Sequence, residues 1–149
     1  MLWKETCTPD VIELIKELQS YDLLKTHILA GGTALSLQLG HRMSEDIDIF
    51  STYRFDYTKI LSFLNEMYND IKKENEDNEC LQIYINKIKV DILSIRGKVL
   101  EKPLIEDGIS YYGLKDISAM KLLAITDRKK AKESKTLKFH NNLYITPLI

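Results

Sequence analysis

Two aspartates, Asp46 and Asp48, stand one residue apart in 40-GHRMSEDIDIF-50, inside a run whose isoleucines read as a short strand. Along a strand, residues i and i+2 share a face and lie about 6.5–7 Å apart. Asp46 and Asp48 therefore face one way, and Ile47 and Ile49 the other. If the chain is already extended upstream, Arg42 and Ser44 join the carboxylate edge and Met43 joins the isoleucines on the core side. Two like charges this close raise one pKa unless a cation sits between them. The pair thus points to a metal, with a solvated pair on an edge strand as the plain alternative. A third carboxylate, Asp91 in 87-KIKVDILSI-95, alternates with Val90 and Ile92 on a strand expected to lie beside the first. Taken singly, an Asp on a strand is an ordinary surface residue. Together the three make a hard, oxygen-only site suited to Mg²⁺, which binds through one or two carboxylates plus substrate phosphates.

Two cationic or backbone features complete the set. In 30-AGGTAL-35 a strand turns into a helix. Gly31 and Gly32 let the backbone approach a ligand, and the helix N-terminus offers N–H groups and a positive dipole end to phosphate; a plain turn has the same composition. Lys121 and Arg128 are seven residues apart on one helix, hence on one face, placed either to meet phosphates or to be solvated. Backbone amides for a triphosphate, aspartates for Mg²⁺ and a cation for developing charge describe phosphoryl or nucleotidyl transfer. In that reading Asp91 helps to activate the attacking hydroxyl.

The elements that must position these residues follow from pattern. At 149 residues, 44% hydrophobic and 29% charged, the chain reads as one globular domain with a real core. Its net charge of −1 offers no whole-molecule field to nucleic acid, although Leu114–His140 carries eight basic against three acidic residues. No stretch approaches the ~18 apolar residues of a membrane span, and the N-terminus has no signal-peptide run. The two lone cysteines, Cys7 and Cys80, suit a reduced, cytoplasmic setting. Thr8-Pro9-Asp10 starts a helix that runs to about Gln19. A strand at 26–30 leads through the glycines to a short helix, with Thr33 as its cap and Gly40 as its stop. The carboxylate strand is expected at 46–50, a helix at 56–73, a polar turn in KENEDNE, and then two strands, 80–86 and 87–95, joined by a tight turn near Asn86 and Lys87. A loop through Pro103, Asp107 and Gly108 precedes a last helix from Leu114, with Leu114, Ile117 and Met120 buried and Ala124 as a further candidate. The class is α/β (α+β): a small mixed β-sheet flanked by helices, not a Rossmann fold. ESKTLKFHNNLYITPLI has no clean periodicity.

The run GGTALSLQLGHRMSEDIDIF resembles the signature of the AbiEii/AbiGii toxin group of nucleotidyltransferases, within the DNA polymerase β-like superfamily. Gly31-Gly32 followed by Asp46-x-Asp48 matches the superfamily's glycine turn and D-x-D, and Asp91 matches the later third carboxylate. Arg42, Ser44, Asp46 and Asp48 match R-x-S-x-D-x-D, and Asp116 and Lys121 match a helical D-x-x-x-x-K. The likeness covers about residues 28–130, with a nucleotidyltransferase core at about 26–130 in a single domain 1–149. It implies binding of an NTP with Mg²⁺ and transfer of a nucleoside monophosphate to an acceptor, tRNA or protein, with release of pyrophosphate. Asp46 and Asp48 would be metal ligands, Asp91 the third carboxylate and Lys121 a phosphate contact. Arg42, Ser44 and Arg128 would belong to the nucleotide site, with Thr33 supplying the hydroxyl where relatives carry Gly-Ser. A cognate antitoxin is implied as partner. Past Arg128 the chain departs from the family's acidic, aromatic helical continuation, so the C-terminal helical part reads as shortened, and a second copy of the chain is one way to complete the cleft. Two other readings are a nucleotide- or partner-binding remnant of the same fold without turnover, and a small-molecule nucleotidyltransferase of the antibiotic-modifying kind. The basic run 128-RKKAK-132 favours an RNA acceptor, or is a solvated helix end.

Overall fold

Thr8 caps the first helix, its hydroxyl accepting from Val11 N–H at 3.4 Å, and Pro9 occupies the first helical position. Helix α1, Pro9–Ser20, buries Val11, Leu14, Ile15 and Leu18 on one stripe, as its periodicity requires. The computed structural model describes residues 1–134 and 144–145, with side chains as far as residue 125. After α1 come β1 (Ile28–Ala30), α2 (Gly31–Leu39), β2 (Ile47–Ser51), α3 (Tyr57–Met67), β3 (Ile71–Glu76), β4 (Cys80–Ile85) and β5 (Ile88–Ser94). They are followed by β6 (Arg96–Gly97), β7 (Leu104–Glu106), β8 (Ile109–Tyr111), α4 (Leu114–Ser134) and β9 (Tyr144–Ile145).

Seven strands form one mixed sheet in the order β3-β4-β5-β2-β1-β8-β7, and β6 pairs with β9 separately. At its centre β2 runs parallel to β5, with Asp48 opposite Asp91. On the other side β2 pairs antiparallel with β1. Beyond β5, β4 and then β3 add antiparallel, so Gln82 lies opposite Asp91 and Asn75 opposite Gln82. Ile47, Ile49, Val90, Ile92, Leu81 and Ile83 are all fully buried on the core side.

The alternate face of these strands has graded character along its length. Phe50, Leu93 and Cys80 form a buried row. One step along, Asp48, Asp91 and Gln82 form a half-buried polar row, and the next pair, Lys89 with Tyr84, is half-buried too. The sheet is therefore covered on both faces at one end and open on one face at the other.

Several boundaries differ from the sequence reading. The expected helix 56–73 ends at Met67, and the polar stretch expected as a turn instead supplies much of an edge strand, β3, with a bulge between Lys73 and Asn75. An edge strand tolerates charge on both sides because only one flank needs a partner. The expected loop around Pro103–Gly108 contains a small hairpin, β7–β8, which turns at Asp107 and Gly108, both at positive φ. Residues 42–46 are not yet strand, and Met43 is 60% exposed rather than core-facing, because the pleat that would turn it inward begins only at Ile47. Leu114 is exposed, while Ile117 and Met120 are buried as expected and Ala124 is half-buried. Thr33 does not cap α2; Ala30 stands at that position without a side-chain cap. Apart from β9, the segment after Ser134 lies outside the described residues, and so does the reading of a shortened C-terminus. Among the described residues no helix is long and apolar enough to cross a membrane.

Candidate active site

The head of α2 and the start of β2 meet at two glycines. Gly31 sits at φ +67, where a side chain is strained, and a Cβ there would collide with Asp48 Oδ2. At Gly32 a Cβ would come within 2.5 Å of Arg42 Nη2, so the guanidinium lies on the surface that this glycine leaves bare. Arg42 is further tied by Nη1 donating to the Met43 carbonyl at 3.2 Å. No side chain caps the first turn of α2, which leaves N–H donors and the positive end of the helix dipole beside an arginine.

Thr33 and Ser44 hold the loop in place. The Thr33 hydroxyl donates to the Asp46 carbonyl, and the Ser44 hydroxyl lies 2.7 Å from Thr33 Oγ1. A hydroxyl has one hydrogen, so Ser44 is the donor and Thr33 the acceptor in that second contact. Both side chains are buried. The result is an open pocket of about 380 Å³ lined by Gly32, Thr33, Arg42, Met43, Ser44, Glu45, Asp46 and Asp48.

Asp48 and Asp91 face each other across the parallel β2–β5 pair, and a hydrogen bond joins their carboxyls. Burial pushes the Asp48 carboxyl up to about 7, with the charges of Asp91 and Asp46 adding to the rise. Burial also raises Asp91, against which Lys89 and hydrogen bonds from Gln82 and Asp48 work. Asp48 and Asp91 thus both resist ionising side by side. Asp91 Oδ1 remains buried with no hydrogen-bond partner, a costly state for a carboxylate oxygen. An orphaned oxygen, a second carboxylate that cannot comfortably ionise beside it, and Asp46 at the pocket wall make an all-oxygen donor set that suits a hard divalent cation. Among the described residues no three His, Cys, Asp or Glu side chains already converge on one metal position. Asp48 and Asp91 are paired with each other across β2 and β5 instead.

Of the residues singled out from sequence, Gly32, Thr33, Arg42, Ser44, Asp46 and Asp48 line this one pocket, while Gly31 and Asp91 flank Asp48. Lys121 is exposed on α4, which packs on α2, and it does not line the pocket. The side chain of Arg128 lies outside the described residues. Asp116 is fully buried and accepts N–H bonds from Leu100 at 2.6 Å and Glu101 at 3.1 Å, so it anchors a loop.

Gln82, Tyr84 and Lys89 were not singled out from sequence, yet they share the face of Asp91. The signal was available. With a two-residue turn at Asn86-Lys87, both at positive φ, pairing of Ile85 with Ile88 forces Tyr84 opposite Lys89 and Gln82 opposite Asp91.

Comparison with known proteins gives the family and the fold. Residues 16–134 match the family model described as nucleotidyl transferase AbiEii toxin, type IV TA system. An uncharacterised protein of Aquifex aeolicus is 30% identical over 125 residues, which cover 81% of this chain and 60% of that protein. Among solved structures, a candidate nucleotidyltransferase of Thermotoga maritima superposes with a TM-score of 0.55 at 18% identity, over 87% of this chain and 92% of that one. JHP933 of Helicobacter pylori gives 0.52 at 18% identity, over 79% and 58%. ANT(2″)-Ia, solved in complex with adenylyl-2″-tobramycin, gives 0.52 at 16% identity, over 85% and 78%. These likenesses are in fold, and the chain spans about 60% of the length of the Aquifex relative. With the family model matched over most of its length, the chain belongs to the AbiEii family of nucleotidyltransferase toxins.

Proposed function

We propose that this chain works as a single domain and transfers a nucleoside monophosphate from an NTP to a macromolecular acceptor, as a toxin acts. The observation that carries the reading is the Asp48–Asp91 pair, in register on parallel strands and directly beneath the glycine turn that opens α2. The NTP triphosphate would lie against the head of α2, with Gly31, Gly32 and Thr33 shaping the wall and Arg42 neutralising phosphate charge. Ser44 would hold the loop, and Lys121 and Arg128 would join from α4. Asp46, Asp48 and Asp91 would hold Mg²⁺, which supplies charge neutralisation and template geometry for in-line displacement. In the reaction an acceptor hydroxyl oxygen bonds to the α-phosphorus, the bond to the bridging oxygen breaks, and pyrophosphate leaves. The hydroxyl proton passes to Asp91, the carboxylate with a free oxygen. A cytoplasmic tRNA is the favoured acceptor, with a protein as the alternative. A cognate antitoxin and a second copy of the chain are the proposed partners.

The test incubates each α-labelled NTP with Mg²⁺ and, in parallel, total RNA, total protein or an aminoglycoside, comparing wild type with Asp46→Ala/Asp48→Ala. Label that requires the wild-type carboxylates supports the reading, and the labelled band identifies the acceptor class. Loss of such charge stabilisation costs ~10²–10³-fold or more in rate. A melting shift with nucleotide but no label from any NTP sinks the transfer reading and leaves a binding-only chain. Label on an aminoglycoside alone assigns a small-molecule enzyme.

A further inference from the structure

Two more cavities continue from the nucleotide pocket along the open face of the sheet. One, of about 460 Å³, is lined by residues that include Glu45, Asp46, Tyr84, Lys87 and Lys89, so it begins at the same Asp46 that walls the nucleotide pocket. The next, of about 520 Å³, shares Tyr84 and Lys87 with it and ends at Asp70, Lys72 and Glu74 on and beside the edge strand. The register makes this one surface: Lys89 lies opposite Tyr84, and Tyr84 opposite Lys72.

From this continuity we propose that the open face of β3, β4 and β5 seats the single-stranded end of a polynucleotide acceptor, gripped by Lys72, Lys87, Lys89 and Tyr84. The proposal rests on the nucleotidyltransferase reading and names the acceptor's path. The acceptor must reach the α-phosphorus from the side opposite the leaving pyrophosphate. The triphosphate end of the site is the head of α2, and the groove leaves the carboxylates in the other direction. Its lining has the chemistry of single-strand binding, lysines that track a backbone and an aromatic ring on which a base stacks. None of the three lysines is ion-paired to a described residue within 4.0 Å. The acidic residues along the way are divided between the two ends: Glu45 and Asp46 at the metal end, Asp70 and Glu74 at the sheet edge. Lys87, Lys89 and Tyr84 hold the stretch between, and Lys72 stands with Asp70 and Glu74 at the edge. A folded protein acceptor would present no regular line of phosphates to this row, which is why a nucleic acid is favoured.

The test measures binding apart from transfer, by fluorescence anisotropy of a labelled 12-nucleotide single-stranded RNA titrated with the intact chain over a range of salt. Each phosphate contact on a single strand contributes about −0.7 to the slope of log K against log salt. Lys72→Met/Lys87→Met is expected to make the slope shallower by about 1.4. Tyr84→Leu is expected to weaken binding roughly tenfold with the slope unchanged, since stacking releases no counterions. Lys59→Met, on the exposed side of α3, should leave the slope alone. Melting temperatures without ligand check that each variant is folded. A slope that does not move in the double variant overturns the groove, even if wild type transfers label. Labelled protein bands with no measurable RNA binding overturn it as well. If wild type transfers nothing but the slope moves as expected, the groove stands and the transfer reading fails.

Discussion

Replacing Asp48 by Asn should stabilise the metal-free protein while it destroys the site. In the fold the Asp48 carboxyl is pushed up to about 7 from an ordinary 3.8, first by burial and then by Asp91 and Asp46. Between pH 4 and 7 the folded chain holds a proton that the unfolded chain has released. Stability therefore falls as pH rises through that window and is flat beyond it. A shift of about three units corresponds to about 4 kcal/mol, and water reaching the partly exposed carboxyl lowers this to roughly 2–4 kcal/mol. Asn keeps the shape and a donor toward Asp91 and carries no charge. Urea unfolding in EDTA should show Asp48→Asn ahead of wild type by at most about 1 kcal/mol at pH 4.5 and by the full amount at pH 8. For a chain of this length that is a gain of about 5–15 °C in Tm. Added Mg²⁺ should stabilise wild type and close the gap. A difference between the two proteins that stays constant from pH 4.5 to 8 would refute the claim that ionising Asp48 in its buried place is the cost of this site.

Three other perturbations separate site from scaffold. Gly31→Ala meets both a positive φ and the Asp48 carboxyl; the backbone alone costs ~1–2 kcal/mol, and label transfer should fall with the displaced carboxylate, whereas full activity would mean the contact is not needed. His27 is fully buried, lies 3.0 Å from the Tyr57 hydroxyl and leaves Nδ1 unpartnered, and burial lowers its pKa to about 4 from 6.5. The unfolded chain then binds the extra proton between those values, so His27 withdraws about 3 kcal/mol as pH falls from 6.5 to 4; His27→Gln should flatten that limb of a urea-stability profile, and an unchanged limb counts against it. Asp116→Ala strands the Leu100 and Glu101 N–H groups and should cost roughly 2–4 kcal/mol, read as a lower melting temperature with or without nucleotide; an unchanged Tm with lost transfer would return Asp116 to the site.

The parts of this molecule visible in its sequence are those governed by short-range rules. Thr8 and Pro9 announce α1 through capping, Gly40 ends α2 at φ +65, and period-two alternation around Asp48 and Asp91 puts both carboxylates on one face. Long-range pairing is harder to see. That β2 and β5 pair in parallel, with Asp48 level with Asp91, follows only once the hairpin and the crossover through α3 are placed. The edge strand β3 was hidden because Lys72, Lys73, Glu74 and Glu76 carry none of the apolar alternation by which strands are read, and an edge does not require it. Thr33 looked like a helix cap by position, yet the helix starts two residues earlier, which frees its hydroxyl to fasten the loop at Asp46.

The same register explains why the site sits where it does. Phe50, Leu93 and Cys80 are buried one step from Asp48, Asp91 and Gln82 on the same face. A slip of β2 by one residue would turn Asp48 into the core and Ile49 out to solvent, so the packing of Ile47 and Ile49 holds the carboxylates at the boundary between core and water. At that boundary they are dry enough to make ionisation of both costly and still open to water on one side. The tight turn at Asn86-Lys87 then sets Gln82 against Asp91, which leaves Oδ1 as the oxygen without a partner. The raised pKa of these carboxylates and the suitability of their oxygens for a divalent cation thus have one cause, a hydrophobic core whose row on this face ends two residues short of them.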